Sequence, residues 1–322
     1  MLEPANGAAP TVSLLICTSG RPKLLDRCLN AVESGSYRPD QLVVVNGIDG
    51  RTPEVVAQHA PSFSEVVLVE HPNRSLAALH NLGLPFCSGD IIAMTDDDSI
   101  PDGRWITEIR AAHARLAAAG GIGGPVRGVS KGFLSRVADT VVFPLPRPGK
   151  PIATLPTVNM SYKRAAVEAV GEFDEALFRG EDVDYNWRVL QAGYEIAFNP
   201  AMKMLHEHRE TFRGLYQQQY MYGRAYVLVR EKWPAMYSVY PHSLRTARSW
   251  AKLIHAGLAI VYQPFQVASQ MPSRWDRIRA YPVLVIHHFI WKLGMLRQAA
   301  LLKTAGTPSP PPTLEPTVTQ WP

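Results

Sequence analysis

The chain has 322 residues, 46% of them hydrophobic and 19% charged, with a formal net charge of +5. These values belong to a globular protein with one large core or two modest ones, and they exclude a disordered chain or a disulfide-stapled miniature. The basic excess gathers in the last third, from Arg245 to Lys303, which suits an anionic membrane surface or substrate better than a nucleic-acid groove, where a denser basic stripe is expected. Cys17, Cys28 and Cys87 have neither pairing nor metal-ligand spacing and are expected as reduced, buried thiols of a cytosolic protein. Residues 1–10 lack the basic-then-apolar pattern of a signal peptide and read as a flexible start.

Thr11–Cys17 (TVSLLIC) is a β-rich apolar run and the expected first, central strand. It ends at Thr18, Ser19, Gly20, Arg21 and Pro22, with Pro placed to open a helix. Leu24, Leu25, Cys28, Leu29 and Val32 then recur at helical spacing. Gln41–Val45 is a second buried strand, closed by Asn46 to Gly50. Thr52–Ala60 reads as a short helix, Glu65–Val69 as a third strand and Asn73–Leu84 as an Ala/Leu-rich helix. Ile91–Met94 is a fourth strand, and it runs straight into Asp96, Asp97 and Asp98. Strands alternating with helices over short loops predict a mostly parallel sheet with helices on both faces.

Trp105–Ala119 reads as a helix that Gly120–Gly124 terminates. From Arg127 to Pro156 the pattern dissolves among prolines and basic residues, as in a long excursion over the sheet. Regularity returns with Thr157–Tyr162, a helix over Lys163–Val170 and a turn-rich link over Gly171–Gly180. A helix over Glu181–Ala192 follows, with acids at its start. A strand-like run then reaches His206 and His208, and Phe212–Lys232 is a Tyr-rich helix. Residues 11–235 form the expected main domain and residues 236–305 a C-terminal helical extension. In that extension Leu253–Met271 and Tyr281–Trp291 are apolar, neither is a clean membrane span, and basic residues and tryptophans flank both. Two readings stay open: an interfacial amphipathic anchor, or a helical pair packed on a soluble core. Residues 306–322, rich in proline, are expected to be disordered.

Two acidic clusters could carry chemistry. Side chains alternate along a strand, so Asp96 and Asp98 share one side, about 7 Å apart along the backbone. Their mutual repulsion calls for a cation, and magnesium held by carboxylates and substrate phosphates is the natural one. The carboxyl edge of such a sheet is also where open α/β folds bind ligands. The second cluster is Gly180-Glu181-Asp182-Val183-Asp184, which is either a helix cap or the source of a general base.

In order, the segments VSLLICTSGRPKLLDRCL, QLVVVNGIDG, HPNRSLAALHNLGLPFCSGDII, MTDDDSIPDGRWI and TVNMSYKRAAVEAVGEFDEALFRGEDVDYNWRVLQAGYEIAFNP, with the His206 region, resemble a family 2 glycosyltransferase of the GT-A fold. The likeness spans roughly residues 11 to 230 and rests on the order and spacing of the pieces. It implies transfer of a hexosyl group from a nucleotide-sugar donor to a glycan, lipid-linked or other hydroxyl acceptor, with Mg2+ or Mn2+. Cell-envelope glycan or glycolipid synthesis is implied, in the cytoplasm or peripherally on the inner face of the cell membrane, with no nucleic-acid partner. Asp96 and Asp98 match the outer acids of the family's DXD motif. Asp98, Asp96 and either His206 or His208 would hold the metal. Thr18, Arg21, Asn46, Asp49, Asn81, Asp96 and Asp97 would line the nucleotide-sugar site. Asp182 would be the base that deprotonates the acceptor, with Glu181 and Trp187 binding that acceptor.

Some positions depart from the family pattern. Asn46 stands where an Asp usually holds the base, leaving Asp49 as the acid of a shortened turn. Asn73-Arg74-Ser75 replaces an Asn-x-Gly, and the QxxRW motif of processive synthases is absent, which favours single-sugar addition. A nucleotidyltransferase is the first rival, but Thr18 to Lys23 is a poor Gly-rich phosphate loop. A non-catalytic nucleotide-sugar-binding module is the second, and it would be expected to lose the acids.

Overall fold

A computed structural model describes residues 9–47, 50–72, 75–236, 245–271, 273–304 and 316–321. In chain order the elements are β1 (Val12–Thr18), α1 (Pro22–Glu33), β2 (Gln41–Asn46), α2 (Thr52–His59), β3 (Val66–Glu70), α3 (Leu76–Gly83), β4 (Ile91–Asp96), β5 (Ser99–Pro101), α4 (Trp105–Arg115), β6 (Ala119–Gly123) and β7 (Val126–Gly128). They continue with α5 (Phe133–Val141), β8 (Met160–Lys163), α6 (Arg164–Val170), α7 (Glu181–Gln191), β9 (Glu195–Phe198), β10 (Met204–His206), α8 (Phe212–Lys232), α9 (Ala247–Ala268), α10 (Arg274–Thr304) and β11 (Thr317–Trp321). The chain divides into two compact units. One takes Met1–Arg127, Pro146–Glu207 and Pro312–Pro322, the other Gly128–Leu145 and His208–Pro311.

The first unit is built on a sheet in the order β11-β3-β2-β1-β4-β8-β6-β9. The strands β3, β2, β1 and β4 run parallel, while β8 is antiparallel to both its neighbours. β1 and β2 are buried at every residue, because helices cover both faces of a sheet whose strands return by crossover. That burial is why their sequences are unbroken apolar runs. The core joins Leu15, Val43, Val67, Met94, Met160 and Tyr185. The three cysteines are buried and free.

The segment Gly120–Gly124, expected to end a helix, is instead mostly strand β6. A Cβ on Gly120 would lie 2.6 Å from the Tyr194 side chain, and one on Gly121 2.5 Å from Met160. These glycines admit neighbours from both faces rather than breaking structure. The tail expected to be disordered also needs correction at its end: Thr317–Trp321 pairs antiparallel with β3, from Thr317 opposite Glu70 to Trp321 opposite Val66. β3 is otherwise an edge strand with open backbone groups. Deleting residues 316–322 should therefore cost a few kcal/mol, at about 1 kcal/mol per backbone hydrogen bond, and leave a protein that self-associates on standing. Light scattering that stays monodisperse in the truncated protein would contradict this.

The second unit holds α5, α8, α9 and α10. Val137, Ala138, Leu215, Met271, Ala280 and Leu284 form its core. Helix α5 lies inside the stretch that sequence alone reads as irregular; its partners come from far downstream, so no local periodicity completes its face. Arg136 of α5 grips both carboxylate oxygens of Asp276 at 3.0 Å. Among the described residues, no helix is long and apolar enough to cross a membrane.

Candidate active site

Strand register builds the site. Cys17 of β1 lies opposite Asp96 of β4, so Thr18 and the turn to α1 sit beside the acids that follow β4. Asp97 turns inward and is fully buried. It accepts hydrogen bonds from Thr18 Oγ1 at 2.5 Å and Arg21 Nε at 3.1 Å. Asp96 ends β4 and Asp98 lies in the turn that precedes β5, so a turn, not strand alternation, brings their carboxyls together. His206 arrives from β10, which pairs antiparallel with β5 and sets His206 opposite Ser99. Its Nε2 lies 3.2 Å from Asp98 Oδ1, while Arg21 binds Asp98 Oδ2 at 2.5 Å.

One ligand atom each from Asp96, Asp98 and His206 lies within 4.8 Å of the others. Burial and the charge of Asp98 push the Asp96 carboxyl up to about 7, as expected where two carboxylates crowd one site. Burial also works against ionisation of Asp98, but the hydrogen bond and charge of His206, with Arg21, outweigh it and hold Asp98 at about 2. At His206 burial opposes the imidazolium, and the Asp98 hydrogen bond with the Asp98 and Asp96 charges raises its pKa. Two carboxylate oxygens and an imidazole suit a divalent ion of manganese character, and a cation among them would relieve the acid–acid repulsion that Asp96 registers. The residues fit such an ion. His208 does not join them: its Nε2 pairs with Asp139 Oδ1 at 2.9 Å within the second unit.

The second acidic cluster opens α7. Gly180, at φ 80°, caps the helix in a left-handed conformation that favours glycine. Glu181 is buried, and its carboxyl is pushed up to about 8 by burial, then by the charges of Asp182 and Asp96. Burial raises Asp182 as well, against the bond it accepts from the Val183 N–H at 2.8 Å. The sign at Glu181 has a consequence for stability. Between its ordinary value of 4.5 and about 8, the unfolded chain releases this proton before the folded one, so stability falls as pH rises through that window. Glu181→Gln keeps the neutral shape and should gain in melting temperature over the parent as pH rises through it. A pH-independent gap would contradict the assignment.

Four expected site residues have these surroundings. Asp97 holds Thr18 and Arg21 in place. Asn46 is fully buried and donates to Glu70 Oε1 at 3.1 Å, strapping β2 to β3. Asn81 Nδ2 donates to the Phe173 carbonyl at 3.0 Å and Asn81 Oδ1 accepts the Phe173 N–H at 2.7 Å, so it fixes the loop leading into α7. Trp187 is half-buried on α7, but its separation from Glu181 and Asp182 is not a helical repeat, so it lies on another face. Asp49 lies outside the described residues, as do Asn73 and Arg74.

Three residues that sequence reasoning did not single out hold the framework around the site. Asn186 binds the carbonyls of Leu155 and Asp182, each at 2.8 Å, and accepts from Tyr162 Oη at 3.2 Å. Asn159 accepts from Trp105 Nε1 at 2.8 Å and donates to the Met202 carbonyl at 2.7 Å. Glu70 supplies the acid beside Asn46. Its signal was its place at the end of a buried strand.

Residues 13–169 match the family model described as Glycosyl transferase family 2. Glycosyltransferase AglE of Haloferax volcanii is 27% identical over 242 residues, covering 68% of this chain and 74% of that protein. Probable glycosyltransferase YdaM of Bacillus subtilis is 26% identical over 239 residues, or 69% of this chain, and the match spans 57% of YdaM. Among solved structures, the mannosyltransferase PcManGT from Pyrobaculum calidifontis, in complex with GDP-Man and Mn2+, superposes with a TM-score of 0.62. The superposition covers 91% of this chain and 88% of that one at 16% identity, a likeness of fold.

Proposed function

The chain carries a family 2 glycosyltransferase domain of the GT-A fold, and from that premise we propose that it transfers a sugar, with inversion and with a divalent metal, from a nucleotide-sugar donor to an acceptor hydroxyl. The observation that carries this reading is the convergence of Asp96, Asp98 and His206, with Glu181 and Asp182 opening α7. PcManGT binds GDP-Man and Mn2+, which supports a nucleotide-sugar donor and a metal here. Asp96, Asp98 and His206 would hold the ion. When bound, it supplies positive charge to the leaving diphosphate.

The other roles belong to the chain's own side chains. Asp182 takes the proton from the acceptor hydroxyl as the new acceptor O–C1 bond forms and the C1–O bond to the diphosphate breaks. Its raised pKa makes it a better proton acceptor near neutral pH than an exposed aspartate. Glu181, held largely neutral by its setting, can donate a hydrogen bond to the acceptor without adding a second negative charge. Arg21, anchored by Asp97 and Asp98, keeps its side chain 42% exposed at the same edge, suited to a donor phosphate. The acceptor is a glycan, a lipid-linked carrier or another hydroxyl compound of cell-envelope synthesis, met in the cytoplasm or at the inner membrane face.

Proton NMR of the product during turnover tests this reading. An anomeric configuration opposite to that of the donor is expected. Retained configuration would require a nucleophile on the donor's other face and would overturn it.

A further inference from the structure

In α9 the order of an amphipathic helix in water is reversed. Its packed face carries small residues, Ala256, Ala259 and Ala268. Its solvent face carries Trp250, Ile254, Leu258, Val261 and Phe265, in steps of three or four residues. Leu258 is 64% and Phe265 68% exposed. Helix α10 repeats the pattern with Trp275, Ile278, Ile286, Phe289, Leu293 and Leu296, where Trp275 is 74% and Leu296 68% exposed. Single exposed apolar residues are ordinary, but two continuous files of large ones mark a surface that something covers.

Charge says what covers it. Across residues 245–304 the sole carboxylate is Asp276, which is buried and held by both arms of Arg136. The charge left facing outward is positive. The helical repeat sets Arg279 and Arg297 along one border of the α10 file and Arg274 and Lys303 along the other. Long basic side chains beside an apolar file can lay their stems on acyl chains and their heads among phosphates.

We infer that α9 and α10 dock the second unit onto an anionic lipid bilayer, lying in the plane of the interface. Neither helix is long and apolar enough to cross it. The apolar files enter the acyl boundary and the flanking arginines and lysines meet the lipid phosphates. A second copy of the chain is the competing occupant, but it would bring basic borders against basic borders with no acid between them. The inference goes beyond the transfer reaction and does not depend on it.

Flotation of the full chain tests it, with vesicles of phosphatidylcholine alone and of phosphatidylcholine mixed with phosphatidylglycerol, each at low and high salt. The chain should float with the mixed vesicles, float less at high salt, and float poorly with phosphatidylcholine alone. Phe265→Gln and Leu296→Gln should each lower partitioning about tenfold. Arg274→Gln combined with Arg297→Gln should remove part of the salt-sensitive share only. All four side chains are exposed, so thermal unfolding should be unchanged and serves as the control for folding. No flotation with mixed vesicles would overturn the inference, as would equal binding to both vesicle types at both salts. A dimer that Phe265→Gln dissociates, formed by a chain that ignores vesicles, would give the surface to a second copy and overturn it as well.

Discussion

Replacing Asp98 by Asn should abolish sugar transfer while leaving the fold in place. Asp98 carries more of the site than either neighbouring acid, because one oxygen faces His206 and the other holds Arg21. His206 and Arg21 lower the Asp98 carboxyl below its ordinary value and favour its charged form. The amide keeps the shape and removes that charge. Loss of one ligand should weaken Mn2+ binding by roughly 100-fold or more, the upper end of what even outer-shell changes cost. Transfer should fall by about a thousandfold or more, since the proposed ion would supply several kcal/mol of leaving-group stabilisation. Titration calorimetry with Mn2+ and with a nucleoside diphosphate reads the first effect, and thermal unfolding reports the fold. Full activity of Asp98→Asn in chelator would show that these residues hold no metal that matters.

Asp182→Asn should produce a different failure. Donor binding and Mn2+ affinity stay near those of the parent, while turnover falls about 100- to 10,000-fold, the usual span for loss of a general base. The side chain's local bond comes from the Val183 N–H, and an amide oxygen accepts it equally well. The backbone carbonyl that Asn186 holds is untouched. The helix start therefore survives and the loss can be read as chemistry. A variant with a near-parental rate would return Asp182 to the role of helix cap, leaving Glu181 as the acid to test next.

The parallel half of the sheet was legible because burial on both faces writes itself as unbroken apolar runs, at β1, β2, β3 and β4. Strand β6 was not, since its glycines answer to Tyr194 and Met160, which reach it only in the folded chain. Helix α5 and strand β11 likewise depend on partners distant in sequence. In the site, strand alternation anticipated the pairing of Asp96 with Asp98, although β4 ends at Asp96 and a turn brings Asp98 to it. The choice between His206 and His208 was not legible, because the β5–β10 register decides it. The partners of Asp97, Asn46 and Asn81 were not legible either: a buried polar side chain must find partners, and here these come from segments distant in sequence. Nothing in a linear sequence separates a side chain that meets a ligand from one that holds the loop beside it.

The central claim is glycosyl transfer at the Asp96–Asp98–His206 edge, and one assay reaches it most directly. The full chain, with Mn2+, is offered a panel of uridine, guanosine and thymidine diphosphate sugars together with an extract of envelope lipids and glycans as acceptors. Released nucleotide is identified by mass spectrometry. The account predicts nucleoside diphosphate from at least one donor, with the sugar recovered on an acceptor and the signal lost in Asp98→Asn and Asp182→Asn. Pyrophosphate released from a nucleoside triphosphate and a sugar phosphate, with every nucleotide sugar left intact, would contradict it and make the chain a nucleotidyltransferase.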